Sequence, residues 1–340
     1  MKLMSSLILI PSLMLSALVG CSDDAAETQA ASTLKPGAGI SVTAFHSPIA
    51  EEKFQTIIIN RALTELGYDV QPIVEVDYSA GYTAIAQNDI QWAAISWDPL
   101  HNDMFMNSGG GEKLVKLGQY ISGAAQGYLI DKATAEKYNI DTIDDLTDPK
   151  LAKLFDATGD GKADLTGCQP GWGCETVINH QLDAFALRDT VNHVQGSYAA
   201  IISDTISRYK AGKPILYYTW TPYWVSGILI PNKDVVWLQV PHSEHPQGID
   251  TQLSNGDNYG FSVNSERIVA NKAFIDANPA ASTLFKLAKL SINAVSAENK
   301  LIADGENTVA DINRHADNWI KNNRGHFDAW LKAARNAALK

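Results

Sequence analysis

The stretch GISVTAFHSPIAEEKFQTIIINRALTELGYDVQPIVEVDYSAGYTAIAQNDIQWAAIS, residues 39–96, alternates short β-rich runs with helical periodicity. Runs rich in β-branched residues predict three strands, at 40–45, 70–76 and 90–96. Apolar residues with helical spacing predict a helix ending at Gly67, whose buried face is formed by Phe54, Ile57, Ile58, Leu63 and Leu66. A second, short helix is predicted over 80–86. The resulting βαβαβ order predicts a parallel sheet in an α/β domain.

A second α/β set follows further along the chain. Strands are predicted at 162–166, 214–218 and 235–240, and a helix near 177–187. The segments 260–263 and 267–270 predict a return to the first set, and the last seventy residues are predicted to be helical, with Pro279 at a helix start. We therefore predict two α/β lobes with a ligand cleft between their strand ends. Lobe 1 comprises residues 38–127 plus 262–340, and lobe 2 comprises residues 128–261.

The amino terminus carries an export signal. Lys2 precedes an apolar run over 3–19, so residues 1–20 are interpreted as a signal peptide. The sequence Leu18-Val19-Gly20-Cys21 fits a lipobox at every position. Ordinary signal-peptide cleavage, the alternative, requires a small residue three positions before the cut, where Leu18 stands. We expect a lipidated Cys21, a flexible stalk over 21–37 and an exported protein held on the periplasmic side of a membrane by its lipid anchor alone.

Charge and cysteine content narrow the class of protein. The net charge of −11 argues against nucleic acid or an anionic membrane surface as a partner. If Cys21 is lipidated, Cys168 and Cys174 remain as a pair, and a disulfide is the favoured interpretation in an exported protein. The alternative, a two-cysteine metal site, lacks histidines at finger-like spacing.

Three of the eight tryptophans lie where a ligand cleft is expected. Trp97 and Trp220 end predicted strands, and Trp172 lies in the Gly-rich turn between the two paired cysteines. For any one tryptophan a place in the core is the competing interpretation. A core tryptophan usually lies in the middle of a helix or strand, and four others are better core candidates by that criterion: Trp92, Trp237, Trp319 and Trp330. Trp224 is ambiguous.

A set of indole faces matches one class of ligand. A quaternary ammonium has no N–H to donate, so aromatic faces, with their negative quadrupole and apolar surface, hold it better than a carboxylate does. Its anionic end requires donors, which backbone N–H groups of Gly173 and Cys174 at a helix start supply. His101 offers a further hydrogen bond. These residues predict a small quaternary-ammonium zwitterion as the ligand.

The chain also resembles a known family over nearly all of its body from about residue 40. The stretches that carry the resemblance are GAAQGYLID (123–131), KLFDATGDGKADLTGCQPGWGCE (153–175), DTISRYKAGKP (204–214) and YYTWTPYWVS (217–226). They are similar to the periplasmic glycine betaine/proline betaine-binding component of ProU-type osmoprotectant ABC importers. The resemblance implies a type II periplasmic-binding-protein fold. It also implies a monomer that needs no cofactor, serving an ABC permease and its ATPase subunits.

The same resemblance implies roles for individual residues. Trp97, Trp172 and Trp220 would form a tryptophan box, and His101 with the backbone of Gly173 and Cys174 would hold the ligand carboxylate. Two features depart from the family pattern. The lipobox would tether a protein whose relatives are free in the periplasm, and Asp98 follows Trp97 where a neutral threonine is expected.

Residues 156–167 form a second motif, whose spacing is similar to that of a calcium loop. Asp156, Asp160 and Asp164 stand at ligand positions, with glycine at the sixth place. The twelfth place carries Gly167 instead of a bidentate glutamate, so an Asp-capped turn is favoured over a calcium site.

Patterns typical of enzymes are weak. Residues 207–210 match a serine–lysine pattern without its companion signatures, and the segment is interpreted as a helix surface. We therefore expect a binding protein, not an enzyme. The alternatives are a binding protein for choline, carnitine or another quaternary amine, and an exported hydrolase on a similar scaffold.

Overall fold

The computed structural model describes residues 34–339. The predicted signal peptide, Cys21 and most of the predicted stalk lie outside these residues. Within the described part of the chain, no helix combines the length and apolar character needed to span a bilayer.

Strands and helices alternate through most of the described chain, and helices are the regular elements of residues 272–339. The strands are β1 Ser41–Val42, β2 Phe45–His46, β3 Asp69–Val70, β4 Val74–Glu75, β5 Trp92–Asp98, β6 Leu114–Asp131, β7 Ala163–Thr166, β8 Val191–Val194, β9 Leu216–Thr221, β10 Val235–Leu238 and β11 Asn264–Asn271. The α-helices are α1 Ala50–Glu65, α2 Tyr78–Gln87, α3 Asn102–Asn107, α4 Gly110–Lys113, α5 Lys132–Tyr138, α6 Pro149–Ala152, α7 Gly173–Ala184, α8 Tyr198–Lys210, α9 Val225–Ile228, α10 Lys272–Ala277, α11 Pro279–Leu287, α12 Ile292–Ala303, α13 Val309–Asn322 and α14 Arg324–Ala337. Two 3₁₀ helices cover Ile143–Thr147 and Lys153–Phe155.

The main sheet has the order β5-β11-β6-β9-β7-β8, and β10 also pairs with β6. Its longest strand, β6, changes partners along its length: its first part, up to Ala124, pairs with β11, and its second part, from Ala125, pairs with β9. Sequence analysis did not predict this strand. The lobe boundaries at 127/128 and 261/262 stay a prediction; the first lies within β6 and the second just before β11.

The predicted parallel sheet is only partly correct. The predicted strands 40–45 and 70–76 are each broken in two, and their pieces form the parallel pairs β1–β3 and β2–β4. Pro72, which has no N–H to donate, stands between β3 and β4. The expectation is wrong for the predicted strand 90–96, because β5 pairs with the antiparallel strand β11, and the main sheet is mixed: β7 pairs in parallel with β8 and β9. Strand β11 comes from far along the chain, beyond the reach of local periodicity.

Two apolar clusters stabilise these elements. One joins α1 and the C-terminal helices to Trp92 and includes Ile58, Phe285 and Phe327. The other gathers residues of the second half of β6, β9 and α7 and extends to Tyr78 and Trp97. The second cluster contains a cavity.

Candidate ligand-binding site

One cavity lies where the ends of β5 and β9 meet the start of α7. The cavity and its mouth together enclose about 300 Å³. Its walls are Ile49, Tyr78, Trp97, Leu100, His101, Gln126, Trp172, Gly173, Cys174, Tyr218 and Trp220. All six ligand-binding residues predicted from sequence therefore surround a single space, although their role toward a ligand stays a prediction.

The local chain explains how two indoles reach this space. Trp97 is the last but one residue of β5, and Trp220 holds the same place in β9. A cis X–Pro bond follows each strand, at Asp98–Pro99 and Thr221–Pro222. Both indoles therefore lie at the carboxyl ends of their strands.

Aromatic neighbours fix the orientation of the indoles. The rings of Trp172 and Trp220 meet edge to face with centroids 5.7 Å apart. Tyr223 stacks on Trp220 at 4.1 Å, and Tyr198 stacks on Trp172 at 6.0 Å. The Tyr198 hydroxyl donates to the carbonyl of Tyr218 at 2.7 Å. Such packing holds the faces in place before a ligand arrives, which reduces the entropy lost on binding.

The start of α7 supplies the donors that sequence analysis expected. Gly173 and Cys174 are its first two residues, and in the described chain their N–H groups donate to no backbone acceptor. A disulfide joins Cys168 to Cys174, which confirms the predicted pairing. Gly173 also approaches Leu100 closely, because a Cβ on Gly173 would lie 2.8 Å from Leu100 Cγ.

His101 is a neutral donor. It is 2% exposed, and its ring lies 4.4 Å from that of Tyr78. Burial first, and then the charge of Lys116, lowers the pKa of His101 to about 3. At neutral pH the imidazole therefore carries one N–H and brings no positive charge to the cavity; a hydrogen bond with the backbone of Ile95 opposes the lowering of the pKa, and Nδ1 has no partner in the described residues.

Gln126 is a cavity residue that sequence reasoning missed. It pairs with Trp220 across β6 and β9 and is 3% exposed. Its Oε1 accepts from the Tyr218 hydroxyl at 2.5 Å, while its Nε2 has no hydrogen-bond partner in the described residues. Gln126 lies in the stretch GAAQGYLID, but without the length and register of β6 nothing marked it as a wall residue.

Asp98, the residue that departs from the family pattern, pairs with cations of neighbouring strands. Side chains alternate across a strand, so Asp98 leaves the opposite face of β5 from Trp97. Its carboxylate binds Lys116 Nζ and Arg267 Nε, each at 2.7 Å. Burial would raise the pKa of Asp98, but these two cations outweigh it and lower the pKa. Its negative charge is neutralised locally.

The carboxylates of the calcium-like loop are used within the protein. Asp156 accepts from the amide of Gly161, and Asp164 accepts from those of Ala157 and Thr158. Across residues 34–339, no group of three or more His, Cys, Asp or Glu is arranged to hold a metal ion. These bonds cap the turn, and the calcium site, the less favoured alternative, stays untested.

The remaining tryptophans only partly follow the core prediction. Trp92 and Trp330 are buried, whereas Trp237 and Trp319 are partly exposed at the margins of the two clusters. Trp224, the ambiguous case, is also partly exposed. The serine–lysine pattern lies on α8, where Ser207 and Lys210 are exposed, as a helix surface requires.

Comparison with known sequences gives a consistent result. A family model described as the substrate binding domain of ABC-type glycine betaine transport systems matches residues 41–322. The glycine betaine-binding periplasmic protein OusX of Dickeya dadantii is 56% identical over 306 residues, which cover 89% of this chain and 92% of that protein. The glycine betaine/proline betaine-binding periplasmic protein of Escherichia coli is 54% identical over 301 residues, 88% of this chain and 91% of that protein.

Solved structures share the fold at low sequence identity. The glycine betaine/L-proline-binding protein of Borrelia burgdorferi has a TM-score of 0.67 at 18% identity, covering 87% of this chain and 99% of its own. Lactococcal OpuAC in complex with glycine betaine has a TM-score of 0.67 at 20% identity, covering 86% and 99%. These neighbours are type II periplasmic binding proteins, and the chain has their fold.

Proposed function

Since the chain belongs to the family of substrate-binding domains of ABC-type glycine betaine transport systems, we propose that it captures glycine betaine or proline betaine for import. One observation carries the assignment: three indoles from separate elements surround the same cavity as the first amides of α7. The family serves transport, not catalysis.

The cavity suits both ends of a betaine. Trp97, Trp172 and Trp220 offer faces to the trimethylammonium group, each worth roughly 0.5–2 kcal/mol in a desolvated site. The N–H groups of Gly173 and Cys174 suit the carboxylate, which the helix dipole also favours. Neutral His101 would add a single hydrogen-bond donor. It adds no charge, so the electrostatic attraction on the carboxylate would come from the positive end of the helix dipole.

Calorimetric titration with a ligand panel tests this function. We expect saturable binding of glycine betaine and proline betaine, with a change in tryptophan fluorescence. Choline, which lacks the carboxylate, should bind more weakly, and its affinity should depend little on His101. Tighter binding of choline or carnitine than of both betaines would instead favour the alternative function, and turnover of an ester or amide would favour a hydrolase.

Substitution of Trp220 locates the cation. Trp220→Ala should weaken glycine betaine binding by about 1–2 kcal/mol, because one aromatic face is lost. Trp237→Ala, at a partly exposed position outside the cavity, is the matched control and should leave affinity unchanged. Unchanged affinity in Trp220→Ala would remove this residue from the site.

Delivery and tethering complete the proposal. The monomer would hand its ligand to an ABC permease driven by ATPase subunits, on the periplasmic side where its relatives work. The lipobox Leu18-Val19-Gly20-Cys21 supports a lipid anchor at Cys21. Metabolic labelling with a fatty acid should mark the protein, and Cys21→Ser should abolish the label.

A further inference from the structure

Three glutamates are buried near the tryptophan cage, which consists of Trp97, Trp172 and Trp220. Glu51 and Glu52 occupy the first turn of α1, and Glu266 lies in β11. Their exposed fractions are 4%, 2% and 2%. No lysine, arginine or histidine in the described residues forms an ion pair with them, and the charges of Glu51 and Glu52 act on Glu266, as that of Glu52 acts on Glu51. Buried carboxyls without a cation are costly when ionised.

Glu52 is one hydrogen bond away from the cavity. The hydroxyl of Tyr78, a wall residue, donates to Glu52 Oε1 at 2.6 Å. The amide of Ser47 donates to Oε2 at 2.9 Å, and the indole of Trp97 is near enough to lower the pKa of this carboxyl. One residue that lines the ligand cavity, Tyr78, therefore contacts this carboxyl directly.

The carboxyl of Glu52 gains or loses its proton near neutral pH. Burial raises its pKa to about 7, against the opposing effect of Ser47, Tyr78 and Trp97. The titratable groups that face this region from the surrounding elements are Glu51, Glu266, Tyr78, Tyr82, His101 and Glu298. His101 stays neutral, so none of them supplies the missing positive charge. A quaternary ammonium in the cavity would supply it, because a nearby cation favours the ionised carboxyl.

We propose that Glu52 is the buried counter-charge of the ligand's cation and releases its proton to solvent when a quaternary ammonium enters the cage. This inference rests on the proposed function. It makes ligand capture a proton-linked step, in which the carboxyl is protonated in about half of the empty molecules at pH 7 and ionised in the complex. By linkage, affinity then rises with pH across the range in which the empty protein still holds the proton.

Calorimetry of the whole mature protein with glycine betaine at pH 7 tests the linkage. The heat of binding should change linearly with the ionisation enthalpy of the buffer. The slope of that line should correspond to the release of about half a proton per ligand bound. Affinity should rise about threefold per pH unit near pH 7 and level off by pH 8.5. Binding with the same heat in every buffer and the same affinity from pH 6 to 8.5 would overturn the proposal. Failure of betaine to bind at all would instead overturn the proposed function.

Two variants assign the proton. Glu52→Gln should bind without proton release, and its loss of affinity relative to the unsubstituted protein should be larger at pH 8 than at pH 6. Glu266→Gln, which removes another buried carboxyl of the same cluster, should retain the release. Proton release that persists in Glu52→Gln, or is lost in Glu266→Gln, would overturn the assignment to Glu52. If Glu52→Gln fails to fold, the pH and buffer series on the unsubstituted protein decides the proposal.

Discussion

Arg267 Nε donates to Asp98 Oδ2 at 2.7 Å, across the antiparallel pair of β5 and β11. Lys116 of β6 reaches the other carboxylate oxygen, so one aspartate ties three strands together directly behind Trp97. Arg267 also donates to the carbonyl of Gly118. This aspartate therefore supports the strand that carries Trp97.

Removing the charge of Asp98 should affect stability more than binding. Asp98→Asn leaves Lys116 and Arg267 without their counter-charge, and we expect a loss of about 1–3 kcal/mol in the free energy of unfolding, measured with urea. Betaine affinity should change less than about threefold, since the side chain points away from the cavity. Asp304→Asn, which breaks an exposed pair with Lys300, is the control and should cost at most about 0.5 kcal/mol. A large loss of affinity in Asp98→Asn would contradict this view.

A methyl group on Gly173 should displace Leu100 from the wall of the cavity. In Gly173→Ala the new Cβ would lie 2.8 Å from Leu100 Cγ and 2.9 Å from the Leu100 carbonyl oxygen. We expect betaine affinity to fall at least about tenfold, because Leu100 must move away from the wall it forms. Titration calorimetry measures the loss. Gly227→Ala is the matched control, since no atom lies within 4 Å of its Cβ position.

The free amide of Gln126 should contribute to affinity. Gln126→Met keeps the side-chain volume but removes Nε2, and we expect betaine binding to weaken about tenfold, the value of a hydrogen bond to a charged group. Tyr218→Phe is the matched control: both variants lose the bond between Tyr218 and Gln126, but only the first loses the N–H. Equal affinity of the two variants would show that Nε2 does not contact the ligand.

The buried imidazole of His101 should make the protein less stable in acid. Its pKa of about 3 in the folded protein lies below the ordinary value of 6.5. The unfolded chain therefore binds a proton first, and stability contributed by His101 is present above pH 6.5 and lost as the pH falls. Between pH 6.5 and 4.5 we expect His101 to lower the free energy of unfolding by about 2–3 kcal/mol.

Urea unfolding at these two pH values measures that contribution. His101→Phe should show a smaller difference in unfolding free energy between pH 6.5 and 4.5 than the unsubstituted protein. His242→Phe, at an exposed position, should keep the full difference. An unchanged difference in His101→Phe would mean that the buried ring is not the group responsible.

Much of the site could be predicted from sequence because its signals are local. Trp97 and Trp220 end recognisable strands, Trp172 lies between two cysteines, and a helix starts directly after it. Gln126 and Tyr78 could not be identified in this way. Gln126 reaches the cavity only through its register opposite Trp220, and Tyr78 belongs to a helix whose side facing the cavity depends on tertiary packing.

The amino-acid sequence by itself determined the positions of several strands and helices and the cysteine pair, because each depends on residues close together in the chain. Only the tertiary structure decided that the main sheet is mixed, that Asp98 faces two cations and that Glu52 is buried beside the cage. Each of these depends on partners distant in sequence: Asp98 and Arg267 are 169 residues apart. Burial and charge at a site are sums over such neighbours, which local periodicity does not contain.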